Sequence, residues 1–447
     1  NIGLRLDYNN GNTNWTFFEP FSNDWKEFNS TEYSEDNNYK SKDVNGQYSL
    51  SPRLAVSHPI SSTSKLFFNY GHFNQLPTYE EMFRMGRNIG GAMRNYGNPE
   101  LGMSQTISYE LGFDKTFKEL YILQFAGYYH DIVDQLTYTT YYSADGSVIF
   151  NLADNNSYED IRGFEMTFRK YHSQWWSGFI NYTYQVKSSG LFGKSKLFEN
   201  PSEQREYDAN TQGLYQSKPI AQPFARANLI ISSPSNFGPK LGKFHPLGGW
   251  SANTLLSWRE GYFTYAHNVY PGVSSNSPIL LQYNNTSNIS MKLHRDLKVG
   301  KINIGIFAEI NNLFNTKRLS LAGFYNADDQ LSYFQSLHLP ESSAYQNIIG
   351  SDRIGEFRDD GVEFQPIAQV SFLDGLRESD IRQETIYFES STDTYQEYES
   401  GTWVEVSRSK MANIIETNAY IDMPNQTSFN FLNPRNIFMG LRISYDF

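Results

Sequence analysis

Apolar and polar residues alternate with period two in twelve separate stretches of this chain, the pattern of a strand whose two faces meet different surroundings. Residues 1–8 place Ile2, Leu4, Leu6 and Tyr8 on one side. Residues 48–58 and 64–73 flank the short turn Pro59-Ile60-Ser61-Ser62-Thr63. Residues 106–116 set Ile107, Tyr109, Leu111 and Phe113 against Ser108, Glu110, Gly112 and Asp114. After a turn near Lys118 and Glu119, residues 120–130 return with Tyr121, Leu123, Phe125 and Tyr129 in phase. The same rhythm predicts strands over 161–170, 176–186, 223–232, 249–259, 286–295, 301–310 and 435–447.

These stretches run to about ten residues, the length a tilted strand needs to cross hydrocarbon, whereas soluble strands average about five or six. The connections add a second signal. Short turns follow residues 58, 116 and 295, and long connections fall at 9–47, 74–105, 187–222, 260–285 and 311–434. Short periplasmic turns alternating with long outer loops are a property of outer-membrane barrels. Residues 233–248 break the rule, a longer link where a short turn is expected. Region 311–434 is too long for an ordinary loop. It has room for further strands around Ile381–Phe388 and Thr402–Val406, and its acidic stretch from Glu389 to Glu399 predicts a solvated surface extension.

Composition agrees with a two-faced wall. Aromatic residues make up 16% of the 447 residues, with 33 Phe and 32 Tyr, yet mean hydropathy is only -0.56. An apolar outer face, a polar inner face and polar loops reconcile the two. The formal charge of -11 argues against a nucleic-acid partner. There is no cysteine, which removes disulfides and thiol chemistry. No run of about 18 apolar residues predicts a transmembrane helix, so spanning falls to barrel strands. A soluble all-β sandwich or propeller stays open on periodicity alone.

Motifs of catalysis are absent. Gly86, Gly90, Gly91 and Gly97 fit no phosphate-binding spacing, and there is neither a His-Glu-x-x-His nor a Gly-x-Ser-x-Gly sequence. His58, His72 and His130 sit near expected strand ends, where water satisfies them. The pairs Glu80–Glu81 and Asp359–Asp360 read as solvated loop residues rather than calcium ligands or glycosidase carboxylates. The chain is therefore not expected to be an enzyme, and no cofactor or metal is implied. Glu110, Glu165, Arg226, Lys292, Glu309 and Arg442 fall on the polar faces. In a barrel, water or a plug inside the lumen accounts for charge there.

Four stretches carry a resemblance. Ser51-Pro-Arg-Leu-Ala-Val is followed by Lys65-Leu-Phe-Phe-Asn-Tyr-Gly-His-Phe and by Leu76, Pro77, Thr78 and Tyr79. Tyr96-Gly-Asn-Pro-Glu-Leu contains Asn98 and Pro99 and precedes Tyr109, Glu110, Leu111 and Gly112. Glu309-Ile-Asn-Asn-Leu-Phe-Asn-Thr-Lys contains Asn311, Asn312, Leu313 and Phe314. The segment from Asn433 through Pro434, Arg435 and Gly440 to Phe447 closes the chain on an aromatic residue. In order and spacing these resemble the C-terminal part of the barrel of TonB-dependent outer-membrane receptors, especially the Bacteroidota-like type with a carboxypeptidase-regulatory-like domain.

The resemblance implies an all-β fold, a transmembrane antiparallel barrel of 22 strands, of which about 12–14 lie in this chain. It implies one barrel domain over 1–447, with an extracellular excursion at about 318–430 and a C-terminus facing the periplasm. It further implies uptake of a scarce ligand, such as a siderophore, glycan or peptide, with energy from TonB. The implied partners are the TonB complex, a plug domain or N-terminal barrel segment outside this chain, outer-membrane lipid and lipopolysaccharide, and a surface lipoprotein. The rival expectations are a plugless porin or adhesin barrel and a soluble secreted binding protein.

Overall fold

The computed structural model describes residues 1–31, 39–171, 173–211, 219–242, 244–266, 279–319, 324, 327–338, 352–356, 362–419, 431–432 and 434–445. The chain divides into two units, Asn1–His172 with Ser177–Pro223, and Ser173–Trp176 with Phe224–Phe447.

The first unit is built on an antiparallel run of seven long strands: β1 (Ile2–Asn9), β2 (Gln47–Ser61), β3 (Ser64–Gln75), β4 (Ser104–Phe117), β5 (Tyr121–Tyr142), β6 (Ile149–Lys170) and β7 (Trp176–Leu191). Each pairs with its sequence neighbour. The register puts Leu66, Phe68 and Tyr70 beside Phe113, Leu111 and Tyr109, and these beside Leu123's row at Phe125, Gly127 and Tyr129. A slip of one residue would move every one of these to the polar face, so the alternation itself fixes the pairing. Among the described residues β1 pairs only with β2.

The second unit has five long strands: β8 (Phe224–Ser232), β9 (Trp250–Arg259), β10 (Thr286–Val299), β11 (Ile302–Asn311) and β12 (Asn436–Tyr445), again paired in sequence order. The row Ala227, Leu256, Ile289 and the row Ile231, Ala252, Leu293 run across β8–β10 on one face.

All twelve expected strands are present, but several are longer than alternation indicated. β5 and β6 are 22 residues each, far beyond 120–130 and 161–170. Their outer halves lose the period-two signal because the register shifts between Asp154 and Ser157 and again before Glu159; an extra residue in one strand exchanges its faces. The turn after β2 is also tighter than 59–63. Ser61 pairs with Ser64, leaving Ser62 and Thr63 as the loop, with an irregularity at Pro59–Ser61.

The region 311–434 departs most from expectation. Strands do occur at Ile386–Glu389 and Thr402–Glu405, but they pair within a separate sheet with Ile367–Val370 and Thr394–Glu399. The helix Arg408–Glu416, capped by Ser407, packs on that sheet through Met411 against Ile367, Ile386 and Val406. The acidic stretch from Glu389 to Glu399 is thus the hairpin of a small folded body with its own core, not merely a solvated extension.

Candidate functional site

The two faces of each strand run are chemically opposite. On one, Leu111, Phe125, Met166, Ile180, Leu229, Ile231, Met439, Leu441 and Ile443 are exposed. On the other, charges pair across neighbouring strands. In the first unit Asn69 Nδ2 donates to Glu110 at 3.0 Å, Lys65 meets Asp114 at 3.1 Å, and Lys187 meets Glu159 at 2.5 Å. In the second, Lys292 meets Glu309, and these two line a concavity with His294, Asp296, Phe307 and Arg442. Glu165 accepts a long hydrogen bond from Thr183. Arg226 lines a separate concavity with Ser257, Arg259 and Asn288.

The connections between β1 and β2 and between β3 and β4 fold together with the outer ends of β5 and β6 and the turn that joins them. Trp15, Trp25, Phe28, Val44, Met93, Tyr96, Tyr141, Val148 and Phe150 form one buried cluster. Helix α1 (Asn23–Asn29) delivers Trp25 and Phe28; Ser22 caps it by accepting from the Trp25 N–H. Lys26 reaches Glu199 at 2.6 Å, and Glu199 also accepts from the Ala144 N–H at 2.9 Å. These two bonds, the backbone one first, hold the Glu199 carboxyl below its usual range. Asp145, bonded by Ser143 and Ser147, is held well below the carboxylate range too.

A small cavity opens in this aromatic cluster, lined by Trp15, Phe18, Trp25, Asn29, Tyr96 and Phe150 among others. Two polar atoms of its lining residues are buried without a protein partner: the donor Trp15 Nε1 and the acceptor Asn29 Oδ1. The Asn29 amide nitrogen is spent on the Trp25 carbonyl at 2.7 Å. A buried donor and acceptor left open cost free energy unless water or a ligand answers them. Periodicity could not find this cavity, because its residues come from two connections and from the outer ends of β5 and β6.

The motif residues shape backbone rather than chemistry. Pro77 precedes Thr78, which caps α2 (Tyr79–Phe83); Glu81 returns the bond to the Thr78 N–H at 2.8 Å. Glu81 is therefore a capping residue and Glu80 pairs with Arg84, so the expectation of an idle acidic pair is corrected. Tyr79 is exposed and stacks on Phe83. Asn98 accepts from the Glu100 N–H and its own N–H reaches the Glu81 carbonyl, with Pro99 buried beside them. Gly97 lies against the backbone of Met82 and Arg84, where any Cβ would collide.

Gly112 and Gly440 share one device. Each lies under a cross-strand ring, Phe67 and Phe307 respectively, in the space a side chain would occupy; an aromatic covering a strand glycine restores the packing the glycine forgoes. Asn312, in a left-handed conformation, holds both the N–H and the carbonyl of Thr316 through its side chain, ending β11. Asn311 is the last residue of β11, the Leu313 N–H reaches the Ile289 carbonyl, Phe314 is exposed, and Asn315 accepts from the Arg435 N–H. Pro434 is exposed. Phe447 and Asp359–Asp360 lie outside the described residues.

Two histidine expectations need separating. His72 bonds Tyr70 at 2.6 Å. His130 does not sit at a strand end: it lies within β5, its Nδ1 is buried without a protein partner, and the ring stacks on Tyr128. Among the described residues no group of three or more His, Asp or Glu could hold a metal, and no helix is long and apolar enough to cross a membrane.

The family model described as "TonB dependent receptor-like, beta-barrel" matches residues 1–313. No curated protein matches the chain. Solved structures it resembles include the copper transporter OprC (15% identity, 62% of this chain and 35% of that one, TM-score 0.37). They also include the FrpB iron transporter of Neisseria meningitidis (11%, 61% and 36%, TM-score 0.39). A third is the outer-membrane transporter YddB of Escherichia coli (12%, 61% and 38%, TM-score 0.39). The chain thus spans little more than a third of the length of these structures. With its model covering 313 of 447 residues, the chain belongs to the TonB dependent receptor-like β-barrel family, whose members are non-catalytic outer-membrane receptors.

Proposed function

We propose that this chain is the C-terminal part of the wall, with its outer connections, of a TonB-dependent transporter that takes up a scarce ligand across the outer membrane. The observation that carries the reading is the opposition of faces: exposed aliphatic and aromatic rows on one side of each strand run, and cross-strand ion pairs on the other. Water is a poor solvent for the first face and hydrocarbon for the second, so a lipid-facing wall around a wet lumen suits both.

In this reading the short turns and the C-terminus face the periplasm and the elaborated connections face outward. The barrel domain runs over 1–447 with an outer excursion at about 318–430, which carries the small sheet and helix at 367–416, and its twelve long strands are part of a 22-stranded wall. Further wall strands pair with the open edge of β1, since an unpaired edge is not tolerated in lipid. A plug fills the lumen and couples to TonB. The carboxypeptidase-regulatory-like subtype fits the four motif stretches. Ligand is captured by the outer connections, where the aromatic cavity offers an open donor and acceptor; this chain's own ligand is a siderophore, glycan, peptide or similar nutrient. A surface lipoprotein and lipopolysaccharide are the outer partners.

The test is energised uptake by cells that express the whole protein. Loss of uptake when TonB is deleted, with the protein still in the outer-membrane fraction, is the expected result. Uptake that persists without TonB points to a porin, and recovery in the soluble fraction removes the membrane reading altogether.

A further inference from the structure

Among the described connections at the short-turn end, the link 233–248 between β8 and β9 is the long one, and its fold gives the reason. Row by row, Ile289, Met291 and Leu293 occupy the apolar face of β10, and the next residue in that phase is Arg295, paired opposite Trp250. A guanidinium on this face would meet hydrocarbon. Instead it is only 7% exposed. Its two terminal nitrogens donate to the carbonyls of Pro246 at 2.8 Å and His245 at 2.7 Å, and it stacks on Phe244 at 4.4 Å and Trp250 at 5.5 Å. The link therefore folds back over the apolar face of the strands.

Having covered the arginine, the link presents new apolar surface. Leu241 is 66% exposed and Leu247 52%, beside exposed Phe237 and Phe244. Phe237 sits edge-on to exposed Trp175, whose carbonyl accepts from the Ser232 N–H. The backbone is built for this shape. Gly238 and Gly242 are left-handed, and Leu241 and Phe244 bridge to each other. Lys240, exposed, stands next to Leu241.

We infer that this link is an interfacial anchor. It inserts Leu241, Leu247, Phe237 and Phe244 into the phospholipid leaflet at the short-turn end, with the Lys240 ammonium at the phosphate level. Two observations select a lipid occupant over a protein one. The patch is continuous with the lipid-directed rows Leu229–Ile231 and Met291–Leu293, and its cation borders the apolar residues as snorkelling requires. The inference rests on the membrane reading of those rows.

The chain has no cysteine, so single spin labels are placed cleanly. In the whole receptor, reconstituted into vesicles of phosphatidylethanolamine and phosphatidylglycerol, labels go on L241C, L247C, F237C and K240C. Leu229→Cys serves as the wall control and Glu206→Cys, on the exposed face of α3 (Pro201–Thr211), as the water control. Oxygen accessibility relative to a water-soluble nickel chelate is expected to be several-fold higher at 241 and 247 than at 206, and lower at 240 than at 241. If 241, 247 and 237 match the water control while 229 reads as lipid, the anchor is overturned and the wall stands. If 229 also reads as water, the membrane reading falls and takes the anchor with it. A variant that does not fold is replaced by its neighbour on the same surface.

Discussion

In the strand runs, the apolar residues Ile2, Leu4, Leu111, Met166, Leu229 and Ile443 are exposed, whereas in the connecting segments Trp25, Met93, Val148, Ile386 and Met411 are buried. Among the described residues only the outer ends of β5 and β6, at Tyr141 and Phe150, join a buried core; the apolar rows along the rest of the strands await another solvent. The connections instead bury their apolar residues in two clusters, one shared by several connections of the first unit and one inside the insert at 367–416. One sequence thus answers to two solvents. The same hydrophobic force sends leucine outward in one region and inward in the other.

Substitutions sharpen this contrast. Trp25→Ala is expected to have the largest effect, about 3–5 kcal/mol, because it empties the centre of a packed cluster. The loss is local: limited proteolysis of the connections should accelerate while the strand content seen by circular dichroism in detergent is retained. Equal loss of both would mean that the connections and strands are one cooperative body.

Leu111→Arg comes next. Near the middle of β4 it is expected to destabilise folding into bilayers by about 2–4 kcal/mol, measured by urea titration in vesicles. An exposed leucine on a soluble protein would change stability by no more than about 0.5 kcal/mol, so a neutral result breaks the comparison. Gly112→Val, which forces Phe67 off the strand, is expected to cost about 1–3 kcal/mol by overpacking, with Gly440→Val behaving alike through Phe307.

Thr78→Ala removes one half of a capping box and should lower stability by about 1 kcal/mol, visible as faster hydrogen exchange over 79–83 alone.

Acid is expected to have the smallest effect, read at one carboxylate of the connections. Glu199 titrates below its unfolded value, chiefly through the Ala144 N–H and then Lys26. Its contribution is therefore complete above the ordinary carboxylate value of about 4.3 and is lost as pH falls through the lowered one. Exchange at 196–199 should rise across that window while the strands stay protected; strands that loosen in step would contradict the division.

Much of the strand architecture was legible in the chain. Twelve strands, their order and their apolar faces follow from period two, since in Ile302, Ile304 and Ile306 or Met439, Leu441 and Ile443 the alternation is a direct image of two environments. The outer halves of β5 and β6 were not legible, because irregular register erases the alternation between Asp154 and Glu159. The insert at 367–416 read as an acidic surface because its core rests on four scattered residues, Ile367, Ile386, Val406 and Met411. The motif glycines were visible as positions, but their purpose lay in Phe67 and Phe307 on other strands.

What the sequence determined by itself is what depends on neighbours a few residues away: strand phase, the capping box at Thr78–Glu81, and the absence of cysteine chemistry. Tertiary structure alone decided which distant residues meet. It drew Trp15 and Asn29 to one cavity with their polar atoms open, and it laid the link 233–248 over Arg295. The physical reason is that a strand's faces are set by a period of two residues, whereas contacts between connections are set by how chain segments tens of residues apart exclude water from a shared core.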